Sequence, residues 1–204
     1  MSEKVTKSWV GQYGEAYTKK WVLSPMALND LWNRMVGATR TSIIQSILMP
    51  NSGRVLELGC NVGNQLLMLH DKFGFPYVDL WGVDIVPEAV SQAVERGFNV
   101  VNWNFLREIP FSTGFFDIVM TCGSLCHVPP DDLKKVAHFN LVMQPRYIFS
   151  TEYTDGKEWD GFRHGQFHHS SIMPCTYELR RSETYEAGDG SAMTAVLLGR
   201  KDVE

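Results

Sequence analysis

From residue 54 onward, short apolar runs alternate with longer stretches in which apolar residues recur at helical spacing. Residues 54–59 (RVLELG) form a β-prone run that ends at glycine, and residues 62–73 have the periodicity of a helix. The same criteria predict strands at residues 78–85, 99–105, 116–121 and 146–151, and helices at residues 87–96 and 130–142. This alternation predicts a doubly wound α/β sheet, in which ligands bind at the carboxyl ends of the parallel strands.

The two ends of the chain extend this pattern. Residues 176–186 and 192–200 alternate as strands around the turn residues 188–190 (GDG), which predicts a closing antiparallel hairpin. We therefore expect a Rossmann-like, seven-stranded, mostly parallel sheet. Residues 9–49 have helical character and many aromatic residues, which we interpret as a helical cap rather than a second domain.

A length of 204 residues suits a single domain with its own core. The pattern divides this domain into four parts, namely a cap (1–50), cofactor-binding βα units (51–154), a lid loop over the acceptor (155–175) and the closing hairpin (176–204). The lid has no periodicity, and long connections of this kind are commonly functional or disordered.

Charge and cysteine content narrow the class of partner. The net charge of −4 without blocks of Lys or Arg makes nucleic acid an unlikely partner and argues against an anionic membrane. No apolar run approaches the ~20 residues that a bilayer helix needs. Four unevenly spaced cysteines without a CxxC pair fit a reducing, cytoplasmic location, and the adjacent His168 and His169 lack metal-ligand spacing, so no metal is expected.

The loop after the first strand carries the most specific chemistry. Gly59 and Gly63 allow a ligand to approach the backbone where the strand turns into a helix and free N–H groups converge. Glu57 precedes this loop, and its carboxylate would repel a dinucleotide pyrophosphate but attract an ammonium and a sulfonium. The sign of this charge favours S-adenosylmethionine over NAD. A buried structural ion pair is the alternative role for Glu57.

A second carboxylate lies at the end of the next predicted strand. Asp84 is placed to accept hydrogen bonds from both ribose hydroxyls of a nucleotide. The alternative is a turn or helix-capping Asp ahead of Pro87.

Four segments together resemble class I S-adenosylmethionine-dependent methyltransferases: VLELGCNVG (55–63), WGVDIVPEAV (81–90), NFLREIPF (104–111) and FFDIVMTCGSLCHV (115–128). Three more features resemble methylases associated with pseudaminic acid biosynthesis, namely SWVGQYGEAYTKKW (8–21), the pair Glu152-Tyr153, and FRHG (162–165). Asn61 stands where this superfamily usually has glycine, and Asn tolerates unusual backbone angles.

The resemblance implies a role for each residue at the strand ends. Those expected to contact the cofactor are Tyr13, Tyr17, Glu57, Gly59, Asn61, Gly63, Asp84, Ile85, Asn104, Phe105, Thr121 and Cys122. In this set, the residues of the glycine loop hold the methionyl end and those from 84 to 105 hold the adenosine. Thr121 and Cys122, together with Gly123, line the floor beside the donor methyl. The two tyrosines are expected to close over the cofactor, and packing against the sheet is their alternative role. For Ile85 and Phe105 the alternative is ordinary packing in the core.

Candidate acceptor residues follow the fourth and fifth strands. His127 is the candidate general base, because its ordinary pKa near 6.5 lets it accept a proton at neutral pH; a structural His before Pro129 is the alternative. Glu152 and Tyr153 are expected to face the acceptor as catalytic residues. In the lid, Arg163 and His164 are candidate acceptor-binding residues, since Arg can bind a carboxylate or phosphate through two parallel hydrogen bonds; a solvated surface Arg is the alternative.

These features predict an enzyme that transfers a methyl group to an oxygen or nitrogen of a small metabolite, with an acidic or nucleotide-linked sugar as the expected acceptor. Two alternatives stay open at this point, namely a protein or RNA methyltransferase and a non-catalytic module that binds S-adenosylmethionine. The sequence does not decide the oligomeric state.

Overall fold

The computed structural model describes residues 9–47, 52–108, 110–154, 169–186, 190 and 192–202. Its strands are β1 (Val55–Leu58), β2 (Leu80–Asp84), β3 (Asn99–Asn102), β4 (Ile118–Cys122), β5 (Tyr147–Tyr153), β6 (Tyr177–Glu186) and β7 (Ala192–Arg200). The helices in the described part are α1 (Gln12–Lys20), α2 (Pro25–Val36), α3 (Arg40–Ile47), α4 (Asn64–Phe73), α5 (Pro87–Glu95) and α6 (Pro130–Met143).

The seven strands form one sheet in the order β3-β2-β1-β4-β5-β7-β6. Strands β1 to β5 pair in parallel, whereas β7 pairs antiparallel with both β5 and β6. This confirms the predicted Rossmann-like sheet with its antiparallel hairpin. The third strand is shorter than the predicted range 99–105, because the side-chain oxygen of Asn104 accepts the backbone N–H of Leu106 at 2.9 Å and the chain turns there.

Alternate residues of each parallel strand enter the core on opposite faces of the sheet. On β1, Val55 packs into a core with α2, α3 and α4, whereas Leu56 and Leu58 pack into a second core with α6. Both faces are therefore covered, as a parallel sheet requires. Burial of each such side chain contributes roughly 1.5–3 kcal/mol to folding.

Helix α2 of the cap has clear sequence signals at both ends. Ser24 accepts the backbone N–H of Ala27 at 3.2 Å, and Pro25 occupies the first turn. Gly37 ends the helix with a left-handed φ of 69°. Leu28 and Trp32 of this helix pack in the same core as Val55 of β1. In the part of the chain that the structure describes, no helix is both long enough and apolar enough to span a bilayer.

Candidate cofactor and acceptor site

A cavity of about 510 Å³ opens at the carboxyl ends of the parallel strands. Residues at the ends of β1, β2, β4 and β5 form its floor, and residues from α1 and α2 form its cover. This is the edge of the sheet at which doubly wound folds bind ligands. The structure thus brings most of the predicted cofactor residues to one enclosed site.

The loop between β1 and α4 has three residues with positive φ. Gly59, Asn61 and Gly63 have φ values of 73°, 48° and 76°. The Asn61 angle agrees with the tolerance expected of Asn at this position. Gly59 and Asn61 line the cavity, but Gly63 does not. A Cβ at Gly63 would lie 2.8 Å from the Phe98 ring, so this glycine allows close packing rather than direct ligand contact.

A substitution at Gly59 tests the close approach at this loop. A Cβ there would lie 2.7 Å from Ser124 Cβ, whereas Gly74, with a similar φ of 75°, has open space around it. We expect Gly74→Ala to cost about 1 kcal/mol in the free energy of unfolding through φ strain alone. Gly59→Ala should cost about twice as much, because Ser124 must move, and it should also weaken binding of S-adenosylhomocysteine several-fold. Urea unfolding and calorimetric titration measure both effects; equal behaviour of the two variants would contradict the prediction.

Glu57 is the buried carboxylate of the site. It lies on β1, lines the cavity and is only 2% exposed. Its Oε2 atom makes no hydrogen bond to any described residue. Burial raises the pKa of Glu57 well above its ordinary value, and Asp84 adds to the increase while Arg40 opposes it. A buried carboxylate oxygen without a partner at a cavity wall fits an incoming ammonium group.

Asp84 ties two loops together at the end of β2. Its Oδ2 accepts the backbone N–H of Asn61 at 2.8 Å, and its Oδ1 accepts that of Val86 at 2.9 Å. The carboxylate therefore has the turn-capping role that was the sequence alternative, yet it also lines the cavity. An ionised carboxylate has about four acceptor positions, so beyond the backbone N–H groups of residues 61, 85 and 86 one remains for a ribose hydroxyl. Burial raises the pKa of Asp84, and these backbone hydrogen bonds oppose the increase.

Three residues expected around the adenine line the same cavity, namely Ile85, Asn104 and Phe105. Phe105 Cε1 lies 3.8 Å from the position of a Cβ at Gly59, so its ring reaches the glycine loop. The placement of all three agrees with a wall for the adenine ring. Their direct contact with the cofactor stays a prediction.

Aromatic rings from the N-terminal segment cover the cavity. Trp9 makes edge contacts with Tyr13 and Tyr17, at ring-centroid distances of 5.0 and 5.3 Å, and with His127 at 5.0 Å. All four residues line the cavity. Burial, followed by the neighbouring Cys126 and Tyr153, raises the pKa of Tyr17, so its hydroxyl stays protonated and can donate a hydrogen bond. The two tyrosines therefore line the cavity, their contact with the cofactor stays a prediction, and His127 packs against Trp9.

The structure corrects the expectation that Glu152 faces the acceptor. Glu152 is fully buried and lies outside the cavity wall. Its carboxylate accepts the backbone N–H groups of Ser124, Leu125 and Cys126 at 3.3, 3.1 and 3.3 Å. Burial raises the pKa of Glu152 to about 7, and these hydrogen bonds oppose the increase. Glu152 is thus a positioning residue that holds the loop carrying His127, rather than a group that contacts substrate.

Thr121 also lies away from the cavity. Its hydroxyl pairs with that of Ser150 at 2.9 Å between β4 and β5, and its side chain is only 1% exposed. The next residue, Cys122, does line the cavity, as do Gly123 and Tyr153. Of the three residues expected to form the floor beside the donor methyl, Cys122 and Gly123 therefore line the cavity and Thr121 does not.

Arg40 is a buried residue of this region that the sequence reasoning missed. Its Nε donates to Gln65 Oε1 at 2.6 Å and its Nη1 donates to Thr151 Oγ1 at 2.9 Å. Its guanidinium carbon lies 4.9 Å from the ring centroid of Trp32 and 5.3 Å from that of Phe149. Gln65 lines the cavity, so the hydrogen bond from Arg40 holds a side chain of the cavity wall in place. A signal was present, since residue 40 begins the buried stripe 40, 43, 44 and 47 of α3.

Two predicted acceptor residues, Arg163 and His164, lie outside the described residues, as does most of the lid 155–175. Their roles stay predictions. Within the described ranges, no group of three or more His, Cys, Asp or Glu side chains is arranged to hold a metal ion.

Comparison with known proteins agrees with this geometry. Residues 55–145 match the family model described as a methyltransferase domain. Comparison with curated protein sequences gives no significant match. The matched segment covers β1 to α6 and so contains the glycine loop, Asp84 and the loop of His127.

Three solved structures illustrate the likeness. Magnesium protoporphyrin IX methyltransferase from Synechocystis PCC 6803, solved with bound S-adenosylhomocysteine, has a TM-score of 0.66 at 13% identity, covering 97% of this chain and 98% of that one. Geranyl diphosphate C-methyltransferase from Streptomyces coelicolor A3(2) has a TM-score of 0.61 at 12% identity, covering 79% and 75%. A SAM-dependent methyltransferase from Methanosarcina mazei has a TM-score of 0.58 at 16% identity, covering 79% and 98%. At these identities the likeness establishes the fold.

The matched segment, the fold and the site together are those of a methyltransferase domain, and residues 55–145, just under half of the chain, carry the match. The Synechocystis enzyme of this fold is solved with bound S-adenosylhomocysteine. The residues present fit this group, because the unpartnered Oε2 of Glu57 can accept a hydrogen bond from an ammonium and Gly59 leaves space for close approach.

Proposed function

We propose that this chain transfers the methyl group of S-adenosylmethionine to an oxygen or nitrogen atom of a small metabolite. The observation that carries the proposal is the buried carboxylate of Glu57, which lines the cavity and whose Oε2 has no hydrogen-bond partner among the described residues. Binding of a cationic amino-acid tail there would place the rest of the cofactor across the ends of β1, β2 and β4. Magnesium protoporphyrin IX methyltransferase and geranyl diphosphate C-methyltransferase share this fold and by name act on small molecules.

The cofactor supplies an electrophilic methyl group when bound, so the protein chiefly has to position the acceptor in line with it. In the proposed arrangement, Cys122 and Gly123 form the floor, and the aromatic rings of the N-terminal segment exclude water from above. His127 is the candidate base for an acceptor that must lose a proton. The carboxylate of Glu152 fixes the loop that carries this histidine.

The finer prediction of an acidic or nucleotide-linked sugar is supported by the resemblance to pseudaminic acid-associated methylases. The residues assigned to the acidic group, Arg163 and His164, belong to the part of the chain that is not described. The described wall of the cavity favours a different acceptor class.

Isothermal titration tests the proposed function. We expect S-adenosylhomocysteine to bind the full chain with one-to-one stoichiometry and NAD at the same concentration to give no binding heat. An ammonium is attracted by the ionised form of Glu57, whereas a pyrophosphate is repelled by it and gains no charge pairing from the protonated form. Transfer of a labelled methyl group from S-adenosylmethionine to a metabolite panel then distinguishes an enzyme from a binding module. Equal binding of NAD, or no binding of S-adenosylhomocysteine, would contradict the proposal.

A further inference from the structure

One stripe of helix α2 faces the cavity. Leu28, Leu31, Trp32 and Met35 all line it, and their spacing of i, i+3, i+4 and i+7 places them on a single helical face. None of these side chains carries a charge. This part of the cap therefore presents a continuous apolar wall rather than a row of polar contacts.

The opposite wall is formed by the antiparallel part of the sheet. Tyr153 of β5 and Met193 of β7 are direct register partners, so their side chains lie on the same face, and both line the cavity. Met193 belongs to the same core cluster as Leu28 and Trp32. We call this region, formed by residues 28, 31, 32, 35, 153 and 193, the apolar lobe.

The apolar lobe lies next to the expected site of methyl transfer. The ring of Tyr153 has its Cε2 atom 3.9 Å from the position of a Cβ at Gly123, directly after β4. An acceptor held in the apolar lobe would therefore reach the floor formed by Cys122 and Gly123. The lobe is placed on the acceptor side of the cavity, whereas the residues expected to hold adenosine follow β2 and β3.

The charges on the described cavity wall do not suit an acidic acceptor. Among the lining residues that the structure describes, Lys20 and His127 are the only side chains able to carry a positive charge. Lys20 is exposed at the rim, where its Nζ lies 5.1 Å from the ring centroid of Trp21. A carboxylate or phosphate taken into the apolar lobe would lose its water without gaining a charged partner, which is costly.

The side chains of the lobe favour a ring. Trp32 is only 6% exposed, and the guanidinium of Arg40 stacks behind it at 4.9 Å, so the indole is held in place before a ligand enters. Met35 is half-buried and presents a flexible thioether that can pack against an aromatic edge, whereas Met193 is fully buried behind the wall. A rigid indole together with an adaptable methionine is a suitable surface for a flat apolar ring.

We infer that the acceptor is a small, uncharged aromatic compound whose ring occupies the apolar lobe and whose hydroxyl or amino group points towards Gly123. The acceptor heteroatom forms a bond to the methyl carbon while the carbon–sulfur bond breaks, with its electron pair going to sulfur. The proton of the heteroatom passes to His127 or to water. This inference rests on the proposed methyl transfer and names the substrate class for the same site.

Two methionines on one helix provide a matched test. Met35 is half-buried and lines the cavity, whereas Met26 is 73% exposed and does not line it. With the full chain saturated by S-adenosylhomocysteine, we expect 1-naphthol to bind in a calorimetric titration and UDP-glucuronic acid not to bind. Met35→Gln should weaken naphthol binding about tenfold, since a polar amide replaces an apolar contact, whereas Met26→Gln should leave it unchanged.

The outcomes separate this inference from the proposed function. Retained affinity of both variants for S-adenosylhomocysteine, together with selective loss of naphthol binding in Met35→Gln, supports the aromatic acceptor. Binding of S-adenosylhomocysteine without naphthol binding, equal naphthol affinity of the two variants, or preferential binding of UDP-glucuronic acid overturns it while leaving methyl transfer intact. Absence of S-adenosylhomocysteine binding would instead contradict the proposed function.

Discussion

Glu57→Gln should weaken binding of S-adenosylhomocysteine about 10- to 100-fold, which corresponds to the loss of a charge-assisted hydrogen bond worth roughly 1.5–3 kcal/mol. The variant keeps the volume of the side chain but removes its negative charge. In the wild-type chain the buried Oε2 atom has no partner among the described residues and Glu57 lines the cavity, so the carboxylate is available to pair with an ammonium bound there. Calorimetric titration at neutral pH measures the change.

The proton balance of binding gives a second readout for Glu57. Burial raises the pKa of this carboxyl well above its ordinary value in the empty site. An ammonium beside it favours the ionised form, so cofactor binding should release a proton and strengthen as pH rises through the range in which Glu57 ionises. This dependence should be absent in Glu57→Gln. Titration in buffers of different ionisation enthalpy detects the released proton.

Glu95→Gln is the matched control, because Glu95 is an exposed carboxylate near the end of α5. It should bind S-adenosylhomocysteine as the wild type does. If Glu57→Gln keeps wild-type affinity and the same proton release, the ammonium does not bind at Glu57, and the electrostatic basis for choosing S-adenosylmethionine is wrong. Thermal unfolding of each variant confirms that any loss of affinity is not a loss of folded protein.

Local sequence pattern was sufficient to predict several residues that line the cavity. A strand that ends in glycine and is followed by helical periodicity predicts both the turn and the edge of the sheet at which it lies. Glu57, Gly59 and Asp84 were identified in this way, and the structure places all three at the cavity. The position of each of these three residues depends on neighbours in sequence near a strand end. The periodicity of the sequence is therefore enough to predict where they lie.

The acceptor half depends on strand order, which local pattern does not contain. Strand β7 inserts between β5 and β6, and Glu152 pairs in register with Thr194 of β7. A carboxylate that would be exposed at a sheet edge is thereby buried in the middle of the sheet. Its partners are the backbone N–H groups of residues 124–126, which no side-chain motif reveals. The prediction that Glu152 contacts the acceptor was wrong because its side chain is buried away from the cavity.

The burial of Glu152 also predicts how stability depends on pH. Its pKa in the folded chain is raised from 4.5 to about 7. The folded state therefore binds the proton more tightly than the unfolded state between these values, so stability is greatest below pH 4.5, falls as pH rises to about 7 and then levels off. The total loss from this one group is about 3 kcal/mol in the free energy of unfolding.

Glu152→Gln should remove the part of this slope that Glu152 contributes, because the amide does not titrate over this range, whereas Glu57 and Asp84, whose pKa values burial also raises, keep their contributions. At low pH the variant should be less stable than wild type, because its amide has a single oxygen to accept three backbone N–H groups. Relative to wild type it should then gain about 3 kcal/mol as pH rises towards 8, as measured by urea unfolding. Glu178→Gln, at an exposed site on β6, should not remove the slope. A constant difference between Glu152→Gln and wild type across this range would mean that the buried carboxylate keeps its ordinary pKa in the fold and that solvent reaches the loop of His127.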